Sequence, residues 1–201
     1  MDWNTSLKII KNQYKVWLNF GSGNSIRTVP SFTQHFCIDK FRTDRLLKKA
    51  MKITCGIYLY NTLTQNILIC HATRSKNGWS IPKGVREEKE LPFQAAVREL
   101  LEETNVDLNK VNILQRHDLP PVYYIKQKKI LQSFLIITDT DFENAVLSCT
   151  GLVSAGYPEI DKICWVTMDT MKTMVHPSQI ENIPRIENLL NQYYQSVKNS
   201  D

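Results

Sequence analysis

Residues 84–106 read GVREEKELPFQAAVRELLEETNV, and this stretch decides the fold. Pro92 suits the first turn of a helix, where its missing N–H would have had no partner. A helix stepping about 100° per residue from Arg98 puts Glu102 near 40°, Glu99 near 100° and Glu103 near 140°. Ala96, Val97, Leu100 and Leu101 fall on the opposite side, at roughly 160–300°. The spacing predicts a helix pinned to a core by one face and acidic on the other.

A solvated acidic face is the plain reading of that pattern, and two local penalties count against it. Like charges three and four residues apart each cost roughly a few tenths of a kcal/mol. These glutamates also lie in the last turns of the helix, where the macrodipole disfavours negative charge. A local rule broken so consistently points to a functional site. A divalent cation offsets the cost, because Mg²⁺ takes hard oxygen ligands and is commonly shared between carboxylates and substrate phosphates.

Before the helix, TCGIYLY (54–60) and NILICHA (66–72) are apolar, β-branched and aromatic runs around the polar turn NTLTQ, which predicts a hairpin. WSIPKG (79–84) reads as a loop, with Pro82 and Gly84 stopping regular structure. After the helix, VYYI (122–125) and ILQSFLIITD (130–139) flank the basic turn KQKK as a second hairpin, and KICWVTMD (162–169) is a further strand. PRIENLLNQYYQSV (184–197) has apolar residues at 186, 189, 190, 193 and 197, an amphipathic helix opened by Pro184. The expected class is α+β, a mixed β-sheet sandwiched between helices. A doubly wound sheet is excluded, because strands and helices do not alternate.

The first fifty residues follow no such pattern. LKIIKNQYKVWLNF suits one strand or helix, GSGNS a turn and TDRLLKKAMK a short basic helix. GSG is no dinucleotide fingerprint, since Ile26 stands where the third glycine belongs. Residues 1–52 hold ten Lys/Arg against three Asp/Glu, whereas 53–201 hold fifteen against seventeen, so the net +5 is concentrated at the front. A basic front end points to a polyanionic partner, or else to a solvated face with none.

With 201 residues, 42% of them hydrophobic and 22% charged, the chain has room for one domain with an appendage and the composition of a soluble globular protein. No apolar run approaches the roughly 18–20 residues of a membrane helix. The opening MDWNTSLKII lacks the basic and apolar regions of a signal peptide. Five cysteines (Cys37, Cys55, Cys70, Cys149 and Cys164) without a C-x-x-C pair argue against a zinc site or a disulfide framework. A soluble, intracellular, cytoplasmic protein is expected.

From Gly84, five residues lead to Glu90 and seven more to Arg98, followed by Glu99-Leu100-Leu101-Glu102-Glu103-Thr104-Asn105-Val106. This resembles the Nudix box, G-x5-E-x7-R-E-U-x-E-E-x-G-U with U aliphatic. The departure is Asn105 in place of the last glycine, and Asn is the usual substitute in a left-handed conformation after a helix. The resemblance covers roughly residues 53–195 and leaves the front segment aside. The expected organisation is a basic N-terminal extension over 1–52 and a Nudix hydrolase domain over 53–201.

The resemblance implies a Mg²⁺-dependent phosphohydrolase, with Mn²⁺ as a substitute. Such an enzyme cuts a phosphoanhydride in a nucleoside diphosphate linked to another moiety, by in-line attack of water on phosphorus. It assigns Glu99, Glu102, Glu103 and the Lys83 carbonyl to the metal. Arg98 would orient the glutamates, and Glu90 would brace the loop. The general base would be Glu102 or Glu103, with Glu159 the candidate outside the box; its plain alternative is a surface carboxylate. The Lys83 side chain, Arg74 at the end of the second strand and the lysines of KQKK (Lys126, Lys128, Lys129) are candidates for substrate phosphate. The PKG tripeptide recurs in dinucleoside-polyphosphate, diphosphoinositol and cap-cleaving members. Trp79 could stack on a base or pack. Tyr123, Tyr124 and Trp165 read as core or half-buried strand positions. The four histidines, His35, His71, His117 and His176, lack metal-ligand spacing, and His71 reads as packed.

Three functions are thereby set apart. The first is hydrolysis of a polyphosphorylated nucleotide resembling a dinucleoside polyphosphate, motivated by PKG. The second is RNA 5′-end processing or mRNA decapping, with RNA held by the basic front end through its phosphates. The third is a nucleotide-sensing module without turnover, which the retention of Glu90, Arg98, Glu99, Glu102 and Glu103 disfavours.

Overall fold

A computed structural model describes residues 52–124 and 128–199. The strands are β1 (Lys52–Asn61), β2 (Asn66–Ala72), β3 (Trp79–Ser80), β4 (Lys83–Val85), β5 (Ile113–Asp118), β6 (Val122–Tyr124), β7 (Lys129–Thr138) and β8 (Ile160–Val166). The helices are α1 (Pro92–Thr104), α2 (Met168–Met174), α3 (Pro177–Ile180) and α4 (Ile183–Lys198). The expectations for the basic front segment, including its turn and short helix, lie outside the described residues, as does Lys126.

One mixed sheet organises the described residues. Its path runs β3-β2-β1-β7-β5, with β4 added to β1, β6 to β7 and β8 to β2. β1 and β7 are parallel over their whole length, from Lys52 opposite Lys129 to Asn61 opposite Thr138. The other pairs are antiparallel. Side chains alternate between the two faces of a strand, and here both faces are covered. Cys55, Ile57 and Leu59 of β1 pack with Ala95, Ala96 and Leu100 of α1. Tyr58 and Tyr60 pack with Met171 of α2 and with Ile183, Ile186 and Leu190 of α4. A strand buried on both sides reads as the continuous apolar run TCGIYLY, and the sheet between helices matches the expected architecture.

Gly56 lets β4 approach β1. It lies opposite Lys83, and a Cβ there would stand 2.6 Å from Lys83 Cβ and 2.7 Å from the Pro82 carbonyl oxygen. Neither neighbour is a free side-chain end, so relief requires moving backbone. Gly56→Ala is expected to cost about 1–3 kcal/mol, the usual range for overpacking. Chemical denaturation checks it; an unchanged midpoint would contradict the tight approach.

Several local expectations are corrected. WSIPKG is not without regular structure: it contributes β3 and β4, with Gly84 inside a strand. Two-residue and three-residue pairings suffice because β2 and β1 supply their partners. Leu101 does not face the core; it is 42% exposed, at the margin of the apolar arc and beside the loop carrying Val146 and Leu147. The acidic side of α1, in keeping with the argument against a plain solvated face, has Glu99 and Glu103 buried. Tyr123 is 56% exposed rather than packed, and Val197 of α4 is also exposed. β5, α2 and α3 add elements that the periodicity did not reveal. Among the described residues no helix is long and apolar enough to cross a membrane.

Candidate functional site

α1 carries the carboxylates and ends where they are needed. Asn105 caps it in the left-handed conformation (φ 62°), its N–H bonding the Leu101 carbonyl at 2.8 Å and its side-chain amide reaching the Val146 carbonyl at 3.1 Å. The segment before β8 satisfies further terminal carbonyls: Thr150 N–H donates to the Glu102 carbonyl at 2.8 Å, and Ser148 N–H to that of Thr104 at 3.3 Å. These donors answer the orphan carbonyls of a helix end and hold its last turn still.

Arg98 organises the acidic side. Nε and Nη2 grip the Glu90 carboxylate at 3.0 and 3.1 Å, while Nη1 reaches Glu99 at 2.7 Å and Glu102 at 3.0 Å. Nη2 also donates to the Val85 carbonyl at 3.2 Å. Five contacts match the five N–H donors of a guanidinium, and a lysine could not reproduce that fork. The hydrogen bond from Arg98 holds the Glu90 carboxyl below its ordinary range, and the same bond raises Arg98. Glu90 also accepts from the Glu87 amide at 3.1 Å, which ties the loop together.

Glu103 is set apart from this fork. Its carboxylate accepts the Lys83 backbone N–H at 2.8 Å and faces the Cys70 thiol at 3.5 Å. Burial pushes its carboxyl up to about 7, and burial also raises Glu99. Gly84 explains how Glu99 is seated: a Cβ at that position would fall on the Glu99 carboxyl group. The backbone thus forms a cradle that a side chain would fill.

Among the described residues no three carboxylate, imidazole or thiolate groups converge on one point. Arg98 holds Glu99 and Glu102, and the Lys83 amide holds Glu103. The donor set nevertheless suits a hard divalent cation: carboxylate oxygens on successive turns, two of them raised by burial and so relieved by a positive charge.

A cleft of about 310 Å³ opens beside Glu103. Lys83, Glu103 and Glu159 line it, with Trp79 of β3, Tyr124 of β6 and Lys129 of β7. Gln179 of α3 also lines it and braces it, accepting the Ile81 N–H at 2.8 Å while its carbonyl accepts the Tyr58 hydroxyl at 2.7 Å. Trp79 packs on His71 with ring centroids 5.0 Å apart, and His71 pairs with Asp161 at 2.6 Å. His71 is therefore a supporting residue behind the cleft wall, consistent with its reading as packed.

The sequence candidates divide accordingly. Lys83, Trp79, Glu103 and Glu159 meet at the cleft, and Lys129 joins them from the KQKK turn. Arg74 does not line the cleft: its guanidinium lies over the Tyr157 ring, 4.1 Å from the centroid. A residue in the left-handed region (φ 62°) directs it there. Tyr124, His176 and Gln179 were not among the candidates, and each had only a faint signal, since each comes from a different short element.

A family model described as NUDIX domain matches residues 51–186. Among solved structures, the chain resembles a binary complex of an Ap4A hydrolase from C. elegans with TM-score 0.56 and 19% identity, covering 70% of this chain and 98% of that one. A bifunctional NMN adenylyltransferase/ADP ribose pyrophosphatase from Francisella tularensis, complexed with AMP and Mn, matches with TM-score 0.52 and 17% identity. That match covers 78% of this chain and 47% of the larger protein. The NUDIX domain of Shewanella oneidensis NrtR complexed with ADP ribose has TM-score 0.52 and 13% identity, covering 70% and 88%. At these identities the likeness is one of fold.

Proposed function

The chain belongs to the Nudix family, and from that premise we propose that this enzyme is a Mg²⁺-dependent pyrophosphohydrolase of polyphosphorylated nucleotides resembling dinucleoside polyphosphates. The observation that carries the proposal is the Arg98 fork, which gathers Glu90, Glu99 and Glu102, next in sequence to buried Glu103, which lines a cleft with Lys83 and Lys129.

In this reading Glu99, Glu102, Glu103 and the Lys83 carbonyl hold the cation, and Mn²⁺ substitutes for Mg²⁺. When bound, the cation supplies charge neutralisation at phosphorus and lowers the pKa of the attacking water. Lys83 and Lys129 bind phosphate oxygens through their ammonium groups. Arg98 keeps the carboxylates in orientation. Glu102 or Glu103 accepts the proton of the attacking water, and Glu159, which also lines the cleft, is the alternative base. A cytoplasmic site of action belongs to the same reading, on the odd cysteine count.

Product analysis tests it. Purified full chain with Mg²⁺ is incubated with diadenosine polyphosphates, nucleoside triphosphates, nucleotide sugars, diphosphoinositol polyphosphates and capped RNA, with Glu102→Gln as the blank. Preferred cleavage of a soluble nucleotide at a phosphoanhydride is expected. No cleavage of any of these would overturn the proposal, and preference for capped RNA would replace it with 5′-end processing.

A further inference from the structure

The proposed reaction makes no use of Arg74, although the chain holds that residue in an unfavourable conformation. Its φ of 62° is left-handed, which costs free energy for a residue bearing a Cβ. Such a cost persists where the surroundings over-determine the conformation. The Arg74 guanidinium lies 4.1 Å from the Tyr157 ring centroid, and the adjacent Thr73 N–H donates to the Glu159 carbonyl at 2.9 Å. Both contacts reach the same short segment, which leads into β8 and carries Glu159 on the cleft lining.

That segment folds back on itself. Leu152 and Pro158 form a bridge, Val153 N–H donates to the Tyr157 carbonyl at 3.0 Å, and Glu159 N–H donates to the Gly151 carbonyl at 2.9 Å. Its first stem is fixed to α1, because Gly151 N–H joins Thr150 N–H on the Glu102 carbonyl at 3.3 Å. Its second stem has Arg74 and Thr73. Glu159 is exposed, and its carboxylate makes no hydrogen bond or ion pair among the described residues. The backbone around it therefore sets where the carboxylate stands, and Tyr157 is two residues away.

We propose that Arg74 is a positioning residue: through its stack on Tyr157 it sets the segment that presents the Glu159 carboxylate to the cleft. The proposal deepens the hydrolase reading, in which Glu159 is a candidate proton acceptor, and rests on it. It also removes Arg74 from phosphate binding. A guanidinium on substrate phosphate would act on KM whatever residue stood at position 157. One acting through Glu159 bears on kcat and needs an aromatic ring at that position. The lever is long, since misplacing a reacting group by about 1 Å can cost about 100-fold in rate.

Two measurements on the full chain test it. Hydrogen exchange read by mass spectrometry follows the amides of residues 151–159 and needs no substrate. Arg74→Ala and Tyr157→Ala are expected to speed exchange there about threefold or more, the equivalent of one cation–π contact. Tyr157→Phe keeps the ring and is expected to stay within about 1.5-fold of wild type. Steady-state kinetics with Mg²⁺ uses diadenosine tetraphosphate, or whichever compound of the panel above is cleaved faster. Arg74→Ala is expected to lower kcat about tenfold with KM within about twofold, and Tyr157→Phe to retain kcat. In a Glu159→Gln chain, Arg74→Ala is expected to add no more than about twofold, because both changes act through one carboxylate. Unchanged exchange in Arg74→Ala, a raised KM at unchanged kcat, or equal effects of Tyr157→Ala and Tyr157→Phe would overturn the proposal. The expected exchange in a protein that cleaves none of the panel would leave the tether standing and remove the hydrolase reading. Cleavage unaffected by Arg74→Ala would do the reverse.

Discussion

Glu103→Gln is expected to give a folded protein whose turnover with Mg²⁺ falls by about 10³ or more. A glutamine oxygen can still accept the Lys83 amide proton, which in the wild type lies 2.8 Å from the carboxylate, so the loop stays tethered. The burial that pushes the Glu103 carboxyl up to about 7 acts on its charged form, and a neutral amide relieves that cost. What disappears is an anionic oxygen for the cation. Charge stabilisation by a bound metal is worth several kcal/mol in the transition state, and about 4 kcal/mol corresponds to that loss of rate. Steady-state kinetics beside a thermal unfolding curve measures both halves. Turnover within tenfold of wild type would show that Glu103 serves the loop and not the reaction.

Gly84→Ala separates function from folding in a second way. Its new Cβ would meet the Glu99 carboxyl group, which is the free end of a flexible side chain. The fold can therefore yield locally: Glu99 swings away and gives up its 2.7 Å contact with Arg98. Stability is expected to fall by no more than about 2 kcal/mol, the cost of one charged hydrogen bond. The rate is expected to fall by about 100-fold or more, as when a ligand loses its outer support. Kinetics and denaturant unfolding on one preparation decide between the outcomes. Comparable losses of both would make Gly84 a folding residue, as Gly56 is, where the obstructing atoms are backbone and Cβ.

The contrast between what the residues announced and what they concealed has a physical basis. The helix from Pro92, its acidic residues and the left-handed Asn105 depend on contacts within a few residues, and they appear at the expected places. The two hairpins were legible for the same reason, through apolar runs separated by polar turns. β5 was not: its residues ILQRHD are largely polar, and only pairing with β7 makes them a strand. The helical wheel ranked Leu101 as apolar and inward because it cannot see where the partner surface ends. The carboxylates were identified, with Arg98 expected to orient them, but not that Glu99 and Glu103 are buried. The cleft was least legible. Trp79, Tyr124, Glu159 and His176 come from four separated segments, and the sheet order together with the packing of α3 on β6 brings them to one opening. Arg74 illustrates the limit from the other side, since the end of a strand does not determine where a long side chain turns.

The most direct test of the account is Mn²⁺ binding followed by electron paramagnetic resonance, in which free Mn²⁺ gives a signal that the bound ion loses. Wild-type full chain is compared with the Glu99→Gln/Glu102→Gln/Glu103→Gln variant. Glutamine is nearly as good a helix former as glutamate, so α1 and its apolar contacts are retained, and circular dichroism verifies it. Wild type is expected to remove the free signal saturably, and the triple variant to bind at least about tenfold more weakly, as expected when carboxylate ligands of a hard cation are lost. Equal binding by a folded triple variant would contradict the assignment of the cation to α1, and with it the mechanism built on that helix.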